Sequence, residues 1–125
     1  GFVQITKKIT EPAHNVELVF VGNPKYFTVF ELITPSSKKS KVYNFLKKNG
    51  EGFHHIAFQV DNIENSIKKY LKCGSIQLCE IVPGAGHNKT KTVWLYTKKK
   101  QLVELIEKQK KKNFNERFSK IIYKK

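Results

Sequence analysis

The sequence predicts an α+β fold built on a strand–helix–three-strand unit over residues 53–107. Three strands over residues 2–34 precede it and look like the same unit without its opening strand and helix. Alternating, β-branched runs bounded by Gly, Pro and Asn mark the strands. The apolar residues Ile63, Ile67, Tyr70 and Leu71 fall at the spacing of a buried helix face. At 125 residues the chain is one domain, with enough apolar and aromatic content (39% hydrophobic, nine Phe) to bury an ordinary core.

The first strand is read over Phe2–Thr10, and Glu11–Asn15 forms a turn. A second strand, Val16–Val21, is closed by Gly22-Asn23-Pro24, and a third runs Tyr26–Thr34 until Pro35-Ser36-Ser37 stops it. In that third strand Phe27, Val29, Glu31 and Ile33 share one face. Ser40 caps a short helix with an apolar stripe of Val42, Phe45 and Leu46, ended by Asn49-Gly50. After the strand at 53–60, Asp61 is expected to cap the second helix, with Glu64 as its capping-box partner and Gly74 as its end. Strands follow at about 76–82, 90–97 and 101–107. The tail over 109–125 is basic, and its Phe114, Phe118, Ile121 and Ile122 suit an amphipathic helix.

The formal charge of +14 suggests nucleic acid, but its distribution argues against that partner. Residues 98–125 carry +8 of it, and Arg117 is the single arginine among 24 basic residues. Base and phosphate readers favour the rigid fork of Arg. Attraction of a small anionic substrate is the simpler use of the lysines. No apolar run approaches the ~20 residues that cross a bilayer, so no membrane partner is expected. No charged-then-apolar leader opens the sequence, and Cys73 and Cys79 fit no zinc or redox spacing. A reducing cytoplasm and free thiols are expected, although a disulfide between the two is not excluded.

The chemistry centres on Gly50–Ile63, where a Gly-rich turn feeds a strand with adjacent histidines. Alternation puts Phe53, His55, Ala57 and Gln59 on one face, and His54, Ile56, Phe58 and Val60 on a greasier face expected to lie under the helix. His55 is therefore the histidine expected to look into a site. Glu31 and Glu104 are each a single acid in an apolar strand, and burying such a carboxylate is costly unless it is paired or coordinated. One His and two Glu form a donor set suited to a divalent ion. Trp94 and Tyr96 alternate onto one face near Glu104, as pocket lining or as core. The Pro83–Asn88 loop is either a plain turn or a source of backbone N–H groups for an anion. His14 and His87 are expected to be exposed loop residues, and His54 to be structural.

Gly50–Ile63, Phe30–Pro35 and Leu102–Glu107 together resemble the vicinal oxygen chelate superfamily, and most of all its methylmalonyl-CoA epimerase branch. The resemblance covers residues 1–108, divided into a partial first module (1–35), a linker helix (36–52) and a second module (53–108). It implies paired βαβββ modules forming a curved, cup-like mixed sheet around one divalent metal ion (Co, Mn, Ni or Zn), held by Glu31, His55 and Glu104. The first module lacks its opening strand and helix, and Gly1-Phe2 matches the point just after that helix. Residues before Gly1 are thus expected to supply a fourth ligand, the other reading being a three-ligand site. A homodimer is expected.

The implied activity is isomerisation or epimerisation through a metal-stabilised enolate of a methylmalonyl-type CoA thioester. Glu104 would serve as ligand and base together. The branch's other catalytic acid falls at Leu18, so the neighbouring Glu17, facing the opposite way, is the second base candidate. Trp94, Tyr96 and Gln59 are the substrate-binding candidates. The alternatives are a lactoylglutathione lyase-like isomerase and a non-catalytic small-ligand-binding member of the superfamily.

Overall fold

The computed structural model describes residues 1–109, apart from positions 24 and 27. Phe27 and the tail helix expected over 109–125, from residue 110 on, lie outside the described residues. Among the described residues the fold is α+β, with two α-helices and two sheets, and it divides into two units, the chain passing from the first to the second between Gly52 and Phe53. No described helix is long and apolar enough to cross a membrane. Cys73 and Cys79 are both free thiols.

In the first unit β3 (Val16–Asn23) is central. Its partner on one edge is β4 (Thr28–Pro35), antiparallel over the whole length. The single strand expected over 2–10 is two pieces on the other edge, β1 (Val3–Gln4) and β2 (Ile9–Glu11). Gln4 pairs with Val21 but Ile9 with Leu18, so the edge strand carries two extra residues as a bulge. Thr6 makes the bulge tolerable: its Oγ1 accepts the Phe20 N–H at 3.0 Å, while the Ile5 N–H donates to the Phe20 carbonyl at 2.8 Å.

The linker helix α1 (Lys41–Asn49) forms as its sequence dictates. Buried Ser40 accepts the Val42 N–H at 3.2 Å, and Gly50, at φ 72°, donates to the Leu46 carbonyl.

The second unit opens with β5 (Ile56–Val60), parallel to β9 (Leu102–Glu107), which pairs antiparallel with β8 (Lys91–Tyr96). The far edge of β8 again holds two short strands, β6 (Ile76–Gln77) and β7 (Val82–Pro83). The same two-residue bulge separates them. Leu78 N–H donates to the Trp94 carbonyl at 2.8 Å, and Cys79 Sγ accepts the Trp94 N–H at 3.4 Å. Phe20 and Trp94 thus hold equivalent places in two copies of one pattern.

Helix α2 (Ile63–Lys72) buries Ile63 and Ile67 against Val93, Leu95, Val103 and Leu105. Its cap differs from the expectation. Asn62, not Asp61, accepts the Asn65 N–H at 2.8 Å, and Asp61 pairs with Lys108 at 3.0 Å. Glu64 leaves the capping box for Lys91, and Glu107 Oε2 takes the Ile63 N–H at 2.9 Å. Gly74, at φ 82°, ends the helix as expected, with Gly74 and Ser75 N–H groups returning to the Leu71 and Tyr70 carbonyls.

Of the β5 face expected under this helix, Val60 packs on the core, but Ile56 and Phe58 remain about two-fifths exposed. The helix lies over β8 and β9, which leaves the edge strand outside. The first unit, among the described residues, has no counterpart of β5 and α2. Its Phe30 and Leu32, equivalent to Val103 and Leu105, are about half exposed.

Candidate metal centre

The sheet face of the second unit that turns away from α2 carries Trp94 and Glu104, which are direct cross-strand partners. Ala57 stands opposite Glu104 on the other side. Glu104 is buried, and one of its oxygens, Oε2, lies 3.5 Å from His55 Nε2 and 3.4 Å from His87 Nε2. Burial on its own pushes this carboxyl up. Hydrogen bonding and charge from the two imidazoles outweigh it and hold the group at about 2, well below the usual carboxylate range.

His55 is placed by three contacts. It immediately precedes β5, its ring packs 5.6 Å from that of Trp94, and its Nδ1 lies 3.0 Å from His54 Nδ1. One Nδ1 of such a pair holds the proton and the other accepts it. Burial first, and then the neighbouring His55, push His54 down to about 4, so His54 is neutral at physiological pH. The two Nδ1 atoms share one proton between them, and His55 turns Nε2 to Glu104. His54 also sits edge-on to Trp94, with centroids 5.5 Å apart, as suits the structural role expected of it.

The expectation that His87 is an exposed loop residue is wrong: it is buried. The reason is the fold of Gly84–Thr90, where a 3-10 turn (Ala85–His87) carries the ring inward. The His87 and Lys89 N–H groups both return to the Gly84 carbonyl, at 3.1 and 2.9 Å, and the Gly84 N–H donates to the Thr90 carbonyl at 2.9 Å. Asn88 and Lys89 then adopt left-handed conformations. A Cβ on Gly84 would lie 2.7 Å from Thr92 Cγ2 and 3.2 Å from the His87 ring, so only glycine lets the ring come this close. The sequence signal available was glycine at 84 and 86 just before a histidine, with Asn88 after it. His14, in the turn between β2 and β3, is half-buried rather than exposed.

His55 and His87 each bring an imidazole nitrogen within 3.5 Å of the same Glu104 oxygen, and such mixed N/O donors are of the kind divalent first-row ions take. The donors fit a metal.

A family model described as the Glyoxalase/Bleomycin resistance protein/Dioxygenase superfamily matches residues 1–93. The chain belongs to this superfamily. It is 36% identical over 107 residues to the mitochondrial methylmalonyl-CoA epimerase of Dictyostelium discoideum, covering 83% of this chain and 63% of that protein. To the human mitochondrial methylmalonyl-CoA epimerase it is 36% identical over 89 residues, covering 69% of this chain and 48% of that one. The chain therefore spans between about half and two thirds of the length of these relatives. In fold it is similar to the crystal structure of methylmalonyl-CoA epimerase from Mycobacterium tuberculosis, with TM-score 0.74 at 18% identity over 89% of this chain and 74% of that one.

Within this superfamily member the other expected site residues take definite places. Glu31, half-buried on β4, pairs with Phe20 as Glu104 pairs with Trp94, so the two glutamates hold equivalent positions in the two units. Gln59 is half-buried and one step along the His55–Ala57 face of β5, opposite Ile106. Tyr96, partly exposed, shares the Trp94 face of β8 opposite Leu102. Glu17 faces the opposite way, as expected. Strand alternation turns it to the face of β3 opposite the Leu18, Phe20 and Glu31 side, where it pairs with Lys8 at 3.0 Å.

Proposed function

We propose that the chain carries the site of a metal-dependent epimerase acting on a 2-substituted malonyl thioester of the methylmalonyl-CoA type. The observation that carries this reading is the buried, ionised Glu104, flanked by imidazole nitrogens on a tryptophan-lined sheet face. The names of the relatives supply the substrate class.

His55 and Glu104 would hold the metal; Glu31, the further carboxylate that the superfamily resemblance implies, occupies in the first unit the register position that Glu104 has in the second. When bound, the metal supplies Lewis-acid stabilisation of the enolate that forms as the α-proton leaves. Glu104 is the group of this chain suited to exchange that proton, because it is already ionised at neutral pH. His55 and its partner His54 keep the carboxylate oriented, and Trp94 keeps water from that side of the sheet. The lysine excess favours the anionic carrier of a CoA thioester.

Exchange of the α-proton of methylmalonyl thioester in D2O, followed by NMR with the metal-loaded full chain, tests the reading. Exchange that falls at least about 100-fold in Glu104→Gln is expected for a general base. Exchange unaffected by that substitution, or none in the wild type, removes the epimerase assignment.

A further inference from the structure

His87 enters neither the resemblance nor the expected ligand set, yet its Nε2 is as near to Glu104 Oε2 as that of His55. Charge-assisted N–H···O bonds close to about 2.7–2.9 Å. The two contacts here stand at 3.4 and 3.5 Å, longer than that and similar to each other. Two donors bound about 2.0–2.1 Å from one ion, at a tetrahedral angle, are separated by roughly 3.3 Å. Both spacings are close to the edge between two ligands of one ion.

The loop around His87 is built for this placement. Gly84 leaves room for the ring, and Thr90 Oγ1 donates to the His87 carbonyl at 2.9 Å. Closure of the turn on the Gly84 carbonyl then fixes the residue from its N–H side. Its side chain is as buried as that of Glu104, at 7% exposure each, so the ring is held against the carboxylate and away from solvent.

We infer that His87 is a direct ligand of the divalent ion, supplying imidazole Nε2 from the Gly84–Thr90 loop beside His55 and Glu104. The second unit then carries an N2O donor set by itself. Two neutral imidazoles shift the preference from Mg2+ and Ca2+ toward Zn2+, Co2+ or Ni2+. This rests on the metal-centre reading above.

The experiment is titration of the metal-free full chain with Co2+ and Zn2+, by calorimetry and by the visible absorption of bound Co2+, for wild type, His55→Ala and His87→Ala. Losing even an orienting partner of a ligand costs about 10–100-fold in affinity, so loss of the ligand in His87→Ala should weaken binding by roughly 100-fold or more and change the Co2+ spectrum. A folded His87→Ala protein with wild-type affinity and spectrum overturns the inference while His55→Ala still loses the ion. No binding by the wild type overturns the metal-centre reading and this inference with it. If His87→Ala does not fold, long-range 1H–15N spectra of the wild type decide. Zn2+ is expected to move the Nε2 resonances of both His55 and His87, and movement of His55 alone refutes ligation by His87.

Discussion

The Nδ1 atoms of His54 and His55 lie 3.0 Å apart, and this contact decides which nitrogen of His55 faces Glu104. Neighbouring residues on an extended strand point to opposite faces. Here the pair sits just before β5 begins, where the rings turn edge to face and both reach Trp94. His54→Ala removes the ring nitrogen that pairs with His55 Nδ1. Metal affinity should fall by about 10–100-fold without being abolished, as measured by calorimetry. An unchanged affinity would mean that Trp94 alone positions the ring.

The correction at the second helix gives a stability test. Asn62→Ala should cost about 1 kcal/mol, because it frees the Asn65 N–H. Asp61→Ala, which removes an exposed ion pair with Lys108, should change stability by less than about 0.5 kcal/mol. Urea unfolding of the two variants checks the order, and the reverse order would restore Asp61 as the cap.

The two copies of the sheet pattern should respond differently to the same truncation. Leu105→Ala removes a fully buried side chain from beneath α2 and should cost roughly 2–5 kcal/mol. Leu32→Ala, at the equivalent position of the first unit, removes a half-exposed one and should cost under about 1 kcal/mol. Equal losses would show that something covers Leu32 in solution.

Acid should expose the strained position of Glu104. Its carboxyl is held below its unfolded value, so its contribution to stability is complete above about 4.5 and is lost as pH falls towards about 2. Denaturant midpoints measured across that window should fall for the wild type more steeply than for Glu104→Gln. Parallel profiles would mean that the carboxyl is not held low by its two histidines.

Local signals in the sequence were read well where one residue settles one contact. Ser40 and Gly50 bound α1, Gly74 ends α2, and period-2 alternation placed Trp94 and Tyr96 on one face near Glu104. What was not legible depends on partners distant in the chain. The bulges at 5–8 and 78–81 exist because Thr6 and Cys79 accept from Phe20 and Trp94, and no alternation pattern announces such a donor. Asp61 and Asn62 are both good caps, and Lys108 and Glu107 decide between them. His87 was misread because a loop histidine is exposed by default. Its burial follows from the room left by Gly84 and from the turn that closes on the Gly84 carbonyl.

The most direct measurement is uptake of Zn2+ or Co2+ by the full chain purified without chelator, compared with His55→Ala and Glu104→Ala. Tight binding at a single site in the wild type, lost or severely weakened in both variants, is the expected result. Full occupancy retained by the two variants, or no uptake by the wild type, would contradict a metal centre at His55 and Glu104.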